Sequence, residues 1–90
     1  MGRPDLLDWL RRTLEDLELA ENAASVDEHT GLLGEGVGLD SIDALRLMGA
    51  IESAFGLTLE DDELTVQHLR TAGALVAFVE AKLREHETLP

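Results

Sequence analysis

Leu7, Leu10, Leu14 and Leu17 recur at steps of three and four, with Asp8, Arg11, Arg12, Glu15 and Glu18 at intervening positions. With Pro4 suited to a first helical turn, this pattern predicts an amphipathic helix from Pro4 to Leu19, those leucines facing inward. Trp9 falls off the stripe and is expected half-buried against a loop. The periodicity then stops. Residues 20–40 contain Gly31, Gly34, Gly36 and Gly38, and such a long loop needs pinning by its own apolar residues, here Val26, Leu32, Leu33, Val37 and Leu39. Helical spacing returns at Asp40. Ala44, Leu47, Met48, Ile51 and Phe55 make one face, and Gly56 closes the helix. In "LTLEDDELTVQHL" the acidic run suits the start of a short helix ending near Leu69. Thr71 is placed as N-cap of a last helix with Ala72, Leu75, Val76, Val79 and Leu83 inward. Only "LTL" at 57–59 alternates as a strand would. The sum is an all-α four-helix bundle over residues 1–90, with three longer helices, a short third one and a long loop between the first two.

Composition narrows the partners. Nineteen Asp and Glu against seven Lys and Arg leave a net charge of −12, so nucleic acid and anionic membranes are excluded as targets and basic protein patches are favoured. Mutual repulsion predicts raised carboxylate pKa values, and stability that grows with salt and on mild acidification. There are no cysteines, which removes disulfides and thiolate zinc sites. Neither a signal-peptide stretch nor a membrane span is present, and Leu6 stands where a myristoylation pattern needs a hydroxyl, so a cytoplasmic monomer is expected. "LEDDEL" lacks the alternating ligands and glycine of an EF-hand loop, and no metal site is assigned. "GEGVG" follows a helix and lacks the lysine of a phosphate-binding loop.

The chemistry centres on "GVGLDSIDAL", where Ser41 stands at a loop-to-helix junction. Catalysis by Ser41 needs a base and an oxyanion site, yet Leu39 and Asp43 occupy the positions that hold glycines in a nucleophile elbow. His29, His68 and His86 lie far apart in the chain, and no catalytic residue is assigned. Capping explains part of the pattern, since Asp40 with Asp43 resembles a capping box and either Asp40 or Ser41 could accept a first-turn N–H. A third feature stands apart from both. Ile42 and Leu45 fall on a second face of this helix, with Gly49 beneath them, alongside Ser41 and Glu52 and flanked by Asp43 and Arg46. That face is either a docking surface or a seat for the glycine loop.

"DSI" at 40–42 and the following "DALRLMGAIESAFGLTLEDDELTVQHLRTAGALVAFV" resemble the acyl and peptidyl carrier proteins of fatty-acid, polyketide and nonribosomal-peptide biosynthesis. The resemblance covers nearly the whole chain and implies a four-helix fold. It also implies covalent 4′-phosphopantetheine on Ser41, transferred from coenzyme A by a phosphopantetheinyl transferase. The chain would then be a non-catalytic carrier, holding acyl or aminoacyl groups as thioesters on a cofactor that supplies the missing sulfur. Asp40, Ile42, Asp43, Leu45, Arg46 and Glu52 would meet the transferase and the acyl-transferring, condensing or tailoring enzymes. Arg46 and Gly49 depart from the fatty-acid pattern and favour a discrete carrier of a specialised pathway. The rival is an unmodified acidic adaptor, which would have no use for the serine.

Overall fold

The computed structural model describes residues 2–34, 36–60 and 62–88, the last three through their backbone only. Its α-helices are α1 (Arg3–Asp16), α2 (Ser41–Phe55) and α3 (Ala72–Thr88), joined by 3₁₀ turns at Ala23–Ser25 and Val66–Leu69. No strand forms among the described residues, and Leu33 and Leu39 make an isolated bridge. No described helix is long and apolar enough to cross a membrane. The short helix expected before Leu69 is a single 3₁₀ turn. Leu69 alone is buried there, and Thr71 already starts α3, so a second apolar turn has no room to form.

The core joins the helices to the first loop. Leu6, Leu10 and Leu14 of α1, Leu32 of the loop, Leu47 and Ile51 of α2 and Leu75 of α3 are its most deeply buried large side chains. The inward stripe of α1 is therefore rotated from the expected one. Leu6 and Thr13 are buried, whereas Leu7 and Leu17 are only half-buried. Adjacent leucines at 6 and 7 satisfy the same periodicity, and the packed fold buries Leu6 while leaving Leu7 at the core margin. In α2, Leu47, Met48 and Ile51 are buried with Ala44 and Phe55 at the margin, as the spacing predicts. The same holds in α3 for Ala72, Leu75, Val76 and Val79, with Leu83 partly buried. Trp9 packs on Phe55 rather than on a loop, ring centroids 4.9 Å apart, because both lie on the half-exposed margin of the α1–α2 contact.

Helix α1 stops short of Leu19. Leu17 is its C-cap, and Glu18 turns into the left-handed region at φ 57°. The Leu19 N–H returns to the Leu14 carbonyl at 2.8 Å and the Glu18 N–H to Glu15 at 3.0 Å, the bonding of a Schellman motif. Glycine normally occupies this position, and a glutamate there bears strain of about 1–2 kcal/mol. It also sets a negative charge at the negative end of the helix dipole. Glu18→Gly should therefore raise the melting temperature by roughly 4 °C, for a net gain of about 1 kcal/mol. Thermal unfolding followed by circular dichroism checks this, and an unchanged or lower value refutes it.

The first loop is stapled to α3. The Ala72 and Gly73 N–H groups, without helical partners, donate to Thr30 and Glu28 carbonyls at 2.8 and 2.9 Å, while Thr71 Oγ1 accepts the Ala74 N–H at 3.1 Å as the N-cap. A Cβ at Gly73 would lie 2.7 Å from the Glu28 oxygen, so this close approach excludes a side chain.

The acidic run does not behave as a uniformly repelling surface. Asp61 lies outside the described residues, but Glu63 Oε1 takes a bond of 2.5 Å from Lys82 Nζ on α3, both side chains being largely shielded. The Lys82 ammonium, helped by the Glu60 N–H, holds the Glu63 carboxyl below the usual range. Lys82 is raised in turn, chiefly by Glu63. The raised values expected from repulsion are thus reversed at Glu63. A depressed folded pKa stabilises at neutral pH and is lost as pH falls through it, while a raised lysine pKa is lost as pH rises through it. Thermal melts should therefore fall on the acid side below about pH 4.5, the ordinary Glu value. They should fall less steeply in Lys82→Met, and equal slopes would show that the pair is unlinked to folding.

Candidate functional site

Gly38 (φ 83°) turns the loop into the extended Asp40, whose backbone sets the start of α2. Asp40 Oδ1 accepts the Asp43 N–H at 2.8 Å, and Asp43 Oδ2 accepts the Asp40 N–H at 3.2 Å. The capping box expected from the sequence is formed, with Asp40 as the cap. Gly56, at φ 65°, closes the other end of α2. Ser41 is released from capping. It is the first residue of α2 and exposed, and none of the hydrogen bonds among the described residues involves its hydroxyl. A loose hydroxyl on a doubly fixed backbone is oriented by the helix rather than by a partner side chain.

Beside it runs a groove of about 460 Å³, walled by Leu33, Leu39, Met48, Leu64, Val66 and Leu69 with Asp40 and Ser41 at its edge. A larger hollow of about 580 Å³, between the end of α1 and the first loop, is edged by Glu15, Glu18 and Glu21. It shares no residue with the Ser41 groove. The 460 Å³ groove is the one that couples apolar walls to an exposed hydroxyl.

Ile42 and Leu45 are 67% and 64% exposed, so the glycine loop does not cover them. The charged residues grouped with them are engaged inside the fold. Arg46 Nη2 donates to the Leu17 carbonyl at 3.1 Å, capping the end of α1, and Glu52 Oε2 accepts the Leu59 N–H at 3.0 Å. Asp40 and Asp43 hold each other. Of the six side chains expected around Ser41, only Ile42 and Leu45 make no polar bond within the fold, as apolar groups must.

Two residues were missed from sequence. Val66, 69% exposed and lining the groove, carries one signal, an apolar side chain in a turn whose inward position Leu69 already fills. His68, given no part in the site from the sequence, is half-buried. Its Nδ1 accepts the Thr65 N–H at 3.1 Å, and its ring lies 4.4 Å from Phe78, so it fixes the turn that walls the groove. His29 is exposed, with its Nε2 3.4 Å from Glu28 Oε1, while the His86 side chain lies outside the described residues. Neither His29 nor His68 bonds to Ser41.

Residues 8–79 match a family model described as a phosphopantetheine attachment site. A protein named acyl carrier protein from Phytoplasma australiense is 39% identical over 49 residues, which is 54% of this chain and 62% of the relative. The chain thus spans less than two thirds of that relative's length. No solved structure matches.

Proposed function

We propose a role for Ser41 from one premise: this chain belongs to the phosphopantetheine-attachment family, non-catalytic carriers with covalently attached 4′-phosphopantetheine. Ser41 is the attachment residue, and residues 1–90 act as a single carrier domain. The observation that carries this reading is the exposed, unbonded Ser41 hydroxyl at a rigid helix start within the matched span.

The residues around Ser41 suit the group. No described residue occludes the hydroxyl, the start of α2 favours an attached anion, and the groove offers apolar walls to a long chain. Once attached, the cofactor supplies a terminal thiol on which an acyl group rides as a thioester. Ser41 Oγ attacks the phosphorus next to the pantetheine arm of coenzyme A, and the pyrophosphate bond breaks with adenosine 3′,5′-bisphosphate as the leaving group. The serine proton passes to a base that the transferase must bring, since no bond joins this hydroxyl to a base among the described residues. Asp40 and Asp43 hold the backbone of residues 40–44 so that the hydroxyl projects at a constant angle.

Acyl or aminoacyl intermediates of a polyketide, fatty-acid-like or nonribosomal-peptide pathway are the cargo, handed between enzymes with basic docking patches. Incubation with coenzyme A and a broad-specificity phosphopantetheinyl transferase should add the mass of one phosphopantetheine unit. No gain with several transferases would overturn the reading.

Docking by the face around Ser41 is a separate part of the proposal. Ile42 supplies an apolar centre and Asp43 an anionic rim. Loss of a central contact raises dissociation, and reversal of a rim charge slows association. Ile42→Ala should lower the efficiency of loading by about tenfold. Asp43→Lys, which also removes the acceptor of the Asp40 N–H, should lower it by a similar factor, and the part due to the rim charge shrinks in high salt. Circular dichroism verifies that helicity is kept. Unchanged loading kinetics in both variants would remove the docking role and leave attachment standing.

A further inference from the structure

The turn that walls the groove beside Ser41 is held by a group that takes up a proton near neutral pH. Capping boxes carry glutamate or glutamine three residues after the cap, and the Val66–Leu69 turn has His68 there. Its Nδ1 accepts the Thr65 N–H at 3.1 Å, and Thr65 Oγ1 lies 3.2 Å from the same nitrogen. A backbone N–H only donates, so Nδ1 must keep its lone pair and the ring hydrogen sits on Nε2. An imidazolium carries hydrogen on both nitrogens and accepts nothing. It can still donate to Thr65 Oγ1, but the Thr65 N–H is then left facing a cation. Leu64, Thr65, Val66 and Leu69 all line the groove, so this one bond bears on its shape.

We propose that His68 is a proton-operated latch on the groove wall: the neutral ring holds the Thr65 amide and closes the turn, and protonation frees the amide and loosens the wall. The loosened turn binds one proton more than the closed one, so by linkage falling pH favours release. Imidazoles change charge between about pH 5 and 8, which sets the working range of such a device. Phe78 decides which part moves. Its ring lies 4.4 Å from that of His68 and attracts a cation, so the imidazolium stays on α3. Leu69 is buried and keeps the far end of the turn in the core, which leaves the Thr65 backbone and the exposed Val66 to shift. The charged groups around the ring do not replace the lost bond. Glu63 precedes the turn and Arg70 follows it, while Lys82 and Glu85 share the α3 face of Phe78. Lys82 meets both of these carboxylates, and Asp40 across the groove accepts the Asp43 N–H. None of these bonds offers the Thr65 N–H another acceptor. What the latch means for a group carried on Ser41 rests on the carrier reading; the movement of the wall does not.

The test compares wild type with His68→Gln by nuclear magnetic resonance from about pH 8 to pH 5. Glutamine is a usual capping-box residue and accepts the same N–H without titrating. In wild type, protection of the Thr65 amide from solvent exchange, corrected for the intrinsic effect of pH, should fall about tenfold. That fall and the shift of the Val66 methyl signals should share one midpoint with the His68 ring. In His68→Gln both should stay flat, whereas a general loosening of the fold in acid would appear in both proteins. A wild-type ring that titrates while Thr65 and Val66 stay unchanged overturns the latch. So does an equal fall in both proteins, or a ring that stays neutral down to about pH 5. Should the variant not fold, shared or separate midpoints in wild type still decide the matter. Loading by a transferase is read separately, so a chain that is never loaded removes the carrier reading and leaves the latch to the titration.

Discussion

Ser41→Ala is expected to gain no mass when incubated with coenzyme A and a phosphopantetheinyl transferase, under conditions that convert the wild-type chain completely. The effect is absolute rather than graded, because the substitution removes the oxygen that forms the bond to phosphorus. It should also be free of structural confusion. Asp40 and not Ser41 accepts the Asp43 N–H, and the serine hydroxyl bonds to nothing among the described residues. Alanine is a good helix former at an exposed first-turn position, so stability should change by no more than about 0.5 kcal/mol. Intact-protein mass spectrometry paired with a thermal melt reads both quantities. An alanine variant that still gains one unit would place attachment elsewhere. A variant that fails to load and also melts far below wild type would show that Ser41 has a structural part missing from the hydrogen-bond pattern.

The start of α2 was legible in the sequence because its signals are local. A capping box needs residues three apart, and a helix-ending glycine needs only a change in φ, so Asp40, Asp43 and Gly56 announce themselves without tertiary context. The Thr71 cap and the inward face of α3 were readable for the same reason. What escaped depends on contacts between distant segments. Leu6 and Leu7 are equivalent until the elements pack together. The end of α1 lies at a strained glutamate, where a pattern reader expects glycine. Arg46 and Glu52 read as a free charged rim, yet their side chains reach Leu17 and Leu59, bonds that helix periodicity does not encode. Ile42 and Leu45 could be recognised as a second stripe, but whether the first loop covered them required the loop's path.

That path leads to the largest stability effect expected. Leu32→Ala should destabilise the chain as much as Leu10→Ala, by about 2–5 kcal/mol. Both leucines are almost wholly buried, at 0% and 1% exposure. Their equality is the informative point, since one belongs to a helix and the other to a loop. Leu32 is locked from both sides, its carbonyl taking the Leu39 N–H at 2.9 Å while the Gly31 carbonyl takes the Val37 N–H at 2.8 Å. With Ala72 and Gly73 tying Thr30 and Glu28 to α3, the backbone has little freedom to collapse into the cavity that alanine would leave. A chain of 90 residues has a total stability of about 5–13 kcal/mol, so the loss is a large fraction of it. The consequence reaches the site, because Leu33 and Leu39 continue from this anchor into the groove beside Ser41. Urea unfolding of both variants compares the costs directly. If Leu32→Ala costs less than about 1 kcal/mol while Leu10→Ala costs several, the loop is a tether rather than part of the core, and the groove wall must be held by α2 and the Val66–Leu69 turn alone.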